Sequence, residues 1–252
     1  MAEALITLDD LSVNYGPQRA LQNVSGVFHE GALVAVAGPN GSGKSTLLKV
    51  LAGVIRPSSG RLNFAKKKKP VMAYLPQTSH LMRDFPISVE ELVFTGFYSE
   101  VGEVGDVGEK HKRKVVKALK DVGLGGYEKR SVGELSNGEF QRALFARVIV
   151  QNAPIILLDE PFTAVDAETT ARLIRLLLKW HEEGRTVICV LHDLLMIRKY
   201  FPESMVLHGK CLGLGHTHDM FEQKLLSFDL DMAELFPAHE APEHDEEQHH
   251  DA

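Results

Sequence analysis

Only two cysteines occur in 252 residues, Cys189 and Cys211. They supply neither a disulfide framework nor a CxxC metal pair, and a reducing compartment suits such a chain. No stretch approaches the ~18 consecutive apolar residues of a membrane span. The opening "MAEALITLDD" has no basic region followed by an apolar one, so neither export nor insertion is expected. No heptad run and no long repeat is found. A basic surplus is missing too. The chain has 28 Lys and Arg against 34 Asp and Glu, a net charge of −6. Six acids lie in the final "HEAPEHDEEQHHDA": Glu240, Glu243, Asp245, Glu246, Glu247 and Asp251. The rest of the chain is balanced, which argues against nucleic acid as a partner.

What is present is an ordinary globular composition, 44% hydrophobic and 25% charged. Three short apolar runs stand out: "ALVAVA" (32–37), "PIILLD" (154–159) and "TVICVL" (186–191). Continuous apolar runs of this length suit strands buried on both faces of a parallel sheet. "AETTARLIRLLLKWHEEG" (167–184) reads as a helix between the last two, with Asp166 as N-cap and Gly184 as its stop. Strand, helix and strand make a βαβ unit, so the fold class is α/β.

From about Leu81 to Val150 the pattern turns helical. "SVEELVFTGF" opens with a capping box, Ser88 and Glu91. "EVGEVGDVGE" (100–109) reads as an exposed loop, and "KHKRKVVKALKDVGL" as a basic-faced helix. This middle part is expected to be a helical subdomain inserted into the α/β core. The run "KKKK" (66–69) lies between two short strand-like segments and reads as a solvated hairpin loop.

"GPNGSGKS" (38–45) follows an apolar strand and precedes the helical run "TLLKVLAG". That is the context of a phosphate-binding loop. Gly38, Gly41 and Gly43 let successive backbone N–H groups turn inward around phosphates. Lys44 reaches the β and γ phosphates, and the Ser45 hydroxyl can ligate Mg²⁺. Asp159 ends the strand "IILLD", with Glu160 beside it. One carboxylate can hold Mg²⁺, and its neighbour can orient or deprotonate an attacking water. His192 follows the next strand, where a histidine can meet a γ-phosphate or cap a loop. In "GELSNGEFQRALFARV" (133–148) a polar turn opens a second helix whose N-terminus favours an anion.

"GPNGSGKS", "LSNGEFQR", "IILLDEP" and "VLHD" occur in the order found in ATP-binding subunits of ABC transporters. The chain resembles that family over residues 4–237. The resemblance implies a P-loop NTPase core with a parallel sheet, an N-terminal antiparallel β subdomain and an inserted helical subdomain at about 81–150. Residues 238–252 then form a separate tail, disordered by composition. It implies ATP and Mg²⁺ as cofactors, and two subunits packed head to tail with two ATPs between them. The phosphate-loop contacts carry over to Gly38, Asn40, Gly41, Ser42, Gly43, Lys44, Ser45 and Thr46. Ser136 and Gly138 match the contacts to the γ-phosphate of ATP held by the other subunit. Tyr15 resembles the aromatic that stacks on adenine. Gln77, in "YLPQ", resembles the glutamine that approaches Mg²⁺ and couples the site to the helical subdomain. Mg²⁺ would then be held by Ser45, Asp159 and Gln77. Glu160 resembles the catalytic base, His192 the γ-phosphate sensor, and Asp166 the acid that passes state between the two sites.

The signature departs from Leu-Ser-Gly-Gly-Gln, reading Leu135-Ser136-Asn137-Gly138-Glu139. Asn is the non-glycine residue that best tolerates a left-handed backbone, so Asn137 is expected to keep the turn that way. Glu139 brings a negative charge near a phosphate, which weakens ATP capture unless a cation such as Arg142 compensates.

The resemblance implies a subunit that powers transport and carries no pore. Its partners would be an integral membrane permease docked near Gln77 to Gly96 and, indirectly, an extracytoplasmic substrate-binding protein. It would sit peripherally at the cytoplasmic face of the cell membrane. "FPISVEELVFTGF" is similar to the corresponding segment of zinc, manganese and iron importers, so import of a divalent metal ion is expected. The alternatives are an iron-chelate or other small-solute importer and a non-transport ATPase of the family. Seven of the twelve histidines lie at or after His208. Interleaved with acids, the tail histidines suit weak binding of Zn²⁺, Mn²⁺, Ni²⁺ or Co²⁺, while the same composition suits a plain disordered tail.

Overall fold

The computed structural model describes residues 3–65, 70–77, 86–101 and 108–227. The lysine run 66–69, most of the expected loop at 100–109, the start of the expected helical insertion at 81–85 and the expected tail at 238–252 lie outside the described residues.

In chain order the elements are β1 (Ala4–Tyr15), β2 (Gln18–His29), β3 (Leu33–Ala37), α1 (Lys44–Ala52), β4 (Ser59–Phe64) and β5 (Met72–Leu75). Then come α2 (Val89–Phe94), α3 (Tyr98–Val101), α4 (Glu109–Asp121) and α5 (Asn137–Gln151). The chain continues with β6 (Ile155–Asp159), α6 (Ala167–Glu182), β7 (Thr186–Val190), α7 (Leu194–Tyr200), β8 (Glu203–His208), β9 (Lys210–His216) and α8 (Thr217–Glu222).

The main sheet has the order β5-β6-β7-β3-β8-β9 and is parallel except for the β8–β9 pair. Every residue of β3, β6 and β7 is buried, as their unbroken apolar runs require. Alternation still sorts their side chains. Leu33, Ala35, Ile156, Leu158, Val187 and Cys189 face a core shared with the helices. Val34, Val36, Ile155, Leu157, Ile188 and Val190 face a second core shared with α1 and the antiparallel sheet β2-β1-β4. β3, β6 and β7 are thus clamped between two cores, which fixes the loops at their carboxyl ends.

The helix limits follow local chemistry. Ser88 and Ser136 both form capping boxes, with Glu91 and Glu139 respectively. Asp166 caps α6 by accepting from Thr169 N, as its position before "AETT" predicts. Each such cap contributes about 1 kcal/mol. α6 ends at Glu182, two residues short of the expected stop, and Gly184 follows at φ +78°.

Two expectations need correction. The strands flanking the lysine run do not form a hairpin. β4 pairs with β1, while β5 pairs with β6, so the two strands belong to different sheets. Asn137 does not adopt a left-handed backbone either. It is the first residue of α5 and is absent from the positive-φ residues. The turn is made instead by the extended Ser136 (φ −61°, ψ 166°).

Candidate active site

The loop between β3 and α1 is shaped by glycine. Gly38 has φ +147°, and a Cβ there would lie 2.0 Å from Leu207 O. Gly43 has φ +94°, and its Cβ would meet Ala20 O at 2.5 Å. Neither position admits a side chain, so only glycine fits there. Asn40 and Gly41 are exposed at its tip, and Thr46 is buried behind it. Ser42 Oγ is buried with no partner among the described residues.

Lys44 is 5% exposed at the start of α1. Its Nζ donates to Gly38 O at 2.9 Å and Pro39 O at 2.8 Å. Burial pushes its pKa down, opposed by the Glu160 and Asp159 carboxylates. Ser45 Oγ donates to Asp159 Oδ1 at 3.0 Å. Asp159 is 1% exposed, and its Oδ2 has no partner among the described residues. Burial raises its carboxyl above the usual range, against the Ser45 hydrogen bond. An orphaned carboxylate oxygen beside a hydroxyl is a donor set suited to a hard cation such as Mg²⁺.

Glu160 sits at φ +49°, a left-handed backbone that costs a non-glycine residue about 1–2 kcal/mol. This conformation turns its side chain between two partners. Gln77 Nε2 donates to Oε2 at 3.0 Å, and His192 Nε2 lies 2.8 Å from Oε1. The carboxylate is 18% exposed and the imidazole 43%, so the cluster opens to solvent on the histidine side. Three chain segments therefore meet: the ends of β5, β6 and β7.

Ser136 and Gly138 sit elsewhere. Ser136 Oγ accepts from Glu139 N, Glu139 Oε2 accepts from Ser136 N, and a Cβ at Gly138 would lie 3.0 Å from Ala164 O. Ser136 caps an exposed helix end with Gly138 in its first turn, and such an end can receive an anion from outside the chain. Tyr15 is 46% exposed at the end of β1, so it is not a core tyrosine. Asp166 is exposed, and its two oxygens accept from Thr169 N and Oγ1.

Two supporting residues escape a reading of the sequence. Gln141, 1% exposed, donates to Pro161 O at 2.9 Å and ties α5 to the loop after Glu160. Tyr127 donates to Glu139 Oε1 at 3.0 Å. Gln141 lies within "LSNGEFQR" and Tyr127 outside every motif, and for both only the tertiary contact marks the part the side chain plays.

A strand–glycine turn–helix with a buried lysine, facing a Ser–Asp pair and a held glutamate, defines a phosphate-loop nucleotide hydrolase. The exposed cap at Ser136 narrows the class. A family model described as ABC transporter matches residues 21–163, and the chain belongs to that family as an ATP-binding, ATP-hydrolysing subunit. It is 37% identical over 228 residues to the manganese transport system ATP-binding protein of Synechocystis sp., covering 88% of each chain. The zinc transport system ATP-binding protein of Treponema pallidum is 34% identical over 224 residues, 87% of this chain and 84% of that one. Among solved structures, a dimeric bacterial ABC transporter cassette matches with TM-score 0.75 at 27% identity, covering 84% of this chain and 99% of that chain. A dimeric post-hydrolysis cassette bound to ADP and phosphate matches with TM-score 0.75 at 26% identity and the same coverage.

Proposed function

We propose that this chain is the ATP-hydrolysing subunit that powers import of a divalent metal ion, manganese or zinc, through separate membrane permease subunits. The observation that carries the hydrolytic part is Glu160, held at one oxygen by Gln77 and at the other by His192. The metal part rests on the manganese and zinc transport relatives.

ATP enters with its adenine on the exposed ring of Tyr15 and its phosphates in the loop from Gly38 through Asn40, Gly41, Ser42 and Gly43 to Thr46. Lys44 exchanges two neutral carbonyls for phosphate oxygens, a charge-assisted and stronger pairing. Ser45, Asp159 and Gln77 would hold Mg²⁺, which would supply positive charge to offset that of the phosphates. Glu160 orients the attacking water and takes its proton. His192 leaves Glu160 Oε1 to meet the γ-phosphate, which frees that oxygen for the water. Each chain supplies Ser136, Gly138 and the α5 N-terminus to the γ-phosphate of its partner's ATP, so the working form is a homodimer. Asp166 passes state between the two sites.

ATP thus favours the closed dimer and hydrolysis reopens it, a differential-affinity switch. The helical insertion, about 81–150, docks the permease through the segment from Gln77 to Gly96. A substrate-binding protein outside the membrane acts through that permease. The subunit sits peripherally at the cytoplasmic face of the membrane, and no helix among the described residues is long and apolar enough to cross one.

The test is cellular metal content in the native host, intact chain against Lys44→Ala, across Mn, Fe, Co, Ni and Zn together. A selective fall in manganese or zinc is expected. Unchanged metal levels, in a host without a redundant importer, would remove the metal assignment.

A further inference from the structure

An acid at the fifth signature position poses an electrostatic problem. The first turn of α5 favours a carboxylate through the helix dipole. The same turn, in the function proposed above, must accept a polyanion. Glu139 is not left free to face it. Oε2 accepts from Ser136 N at 2.8 Å, and Oε1 accepts from Tyr127 Oη at 3.0 Å. Both oxygens are turned back towards the chain. The Ser136 amide, the Ser136 hydroxyl, Tyr127 and Arg142 together hold this carboxyl below the usual range, in that order. It stays charged, so its placement matters.

Tyr127 is itself well anchored. The Arg130 guanidinium stacks on its ring at 4.1 Å. Its backbone N–H donates to Leu124 O at 3.1 Å. The residues that follow pair with the entry to α2: Glu90 N donates to Glu128 O, Val89 N to Arg130 O and Val132 N to Ile87 O. One continuous set of bonds therefore runs from the signature turn, through Glu139 and Tyr127, to the start of α2.

We propose that Tyr127 is a positioning residue for the signature turn: its hydroxyl holds the Glu139 carboxylate in the capping box, away from the phosphate the turn receives, and ties that turn to the entry of α2. This rests on the reading that Ser136 and Gly138 meet the partner's γ-phosphate. Without the hydroxyl, Oε1 loses its only side-chain donor among the described residues, and the charge is free to swing towards the incoming anion.

The experiment is ATP-driven dimerisation of the full chain by sedimentation, in a Glu160→Gln background that slows hydrolysis. Tyr127→Phe keeps the ring and its stacking on Arg130. It should raise the ATP concentration for half-maximal dimer about fivefold, the factor expected of one carboxylate charge across a water-exposed gap. The shift should shrink with added salt. In a Glu139→Gln chain the same Tyr127→Phe change should shift the midpoint less than about 1.5-fold, because no charge remains to be released. A purely structural role for Tyr127 predicts equal shifts in both backgrounds and no salt dependence. That pattern, or no shift at all, overturns the proposal. Ser136→Ala separates the two levels. If it dimerises like its parent, or if ATP drives no dimer in the Glu160→Gln chain, the phosphate role of the turn falls and the positioning role with it. If Ser136→Ala blocks dimerisation while Tyr127→Phe does nothing, only the positioning role falls.

Discussion

Asp159 predicts a trade of stability against function that one substitution can expose. The side chain is 1% exposed, one oxygen is bound by Ser45 Oγ and the other has no partner among the described residues. An unsatisfied buried polar group costs about 1–3 kcal/mol, and more when charged. Asp159→Asn keeps an acceptor for Ser45 and removes the charge, but it leaves an unpaired N–H and forfeits attraction to Lys44 and Lys49. Burial outweighs those cations, since the carboxyl is pushed above its ordinary range. The net change without nucleotide is therefore stabilising, by about 1 kcal/mol. For a chain of this size that raises the Tm by about 2–4 °C. The pH sign follows from the same cause. A carboxyl whose folded pKa is raised binds its proton more tightly in the native state, so its penalty is full at neutral pH. The penalty is relieved as pH falls from the raised folded value towards the unfolded value of 3.8. The gap in Tm between Asp159→Asn and its parent should narrow across that window. With Mg-ATP the order reverses. Ligand at 100 times its Kd stabilises the parent by about 2.7 kcal/mol, and the variant gains less because it lacks a ligand of the proposed cation site. Differential scanning fluorimetry with and without Mg-ATP reads both effects. An Asn variant less stable than its parent without nucleotide would refute the reasoning.

Other substitutions test the remaining parts. Gly38→Ala places a methyl 2.0 Å from Leu207 O at φ +147°, and a loss of more than about 4 kcal/mol in denaturant titration is expected. His192→Ala removes the contact to Glu160 Oε1, and kcat should fall by about 10²–10³ while ATP affinity by fluorescence titration stays within twofold to threefold. Restoring the family signature with Asn137→Gly and Glu139→Gln should change ATP turnover less than about tenfold, equivalent to 1.4 kcal/mol in the barrier. A larger rise would mean that these two departures impair the site.

Much of this site is written locally, which is why it can be read. The glycines at 38, 41 and 43 sit where positive φ is needed. The three buried strands are unbroken apolar runs because two cores clamp them, and their carboxyl ends deliver Lys44, Asp159, Glu160 and His192. The N-caps at Ser88, Ser136 and Asp166 are likewise decided within four residues. What escaped was set by partners distant in sequence. The lysine run looked like a hairpin because nothing local says that β4 pairs with β1 and β5 with β6. Asn137 is a local exception: propensity alone favours a left-handed residue, but the capping box between its neighbours Ser136 and Glu139 places it inside the helix. The hold of Tyr127 on Glu139 spans twelve residues and has no motif. Glu160 is legible as an acid after a strand, yet its positive φ and its two partners appear only in three dimensions.

The most direct test of the central claim is steady-state hydrolysis of Mg-ATP by the purified chain as its concentration is varied, with Ser136→Ala in parallel. A composite site between two chains predicts that the rate per chain rises with concentration. It also predicts that Ser136→Ala, although its described contacts lie within its own helix cap, abolishes most of the rate. A rate per chain that is flat with concentration and indifferent to Ser136→Ala would contradict the account.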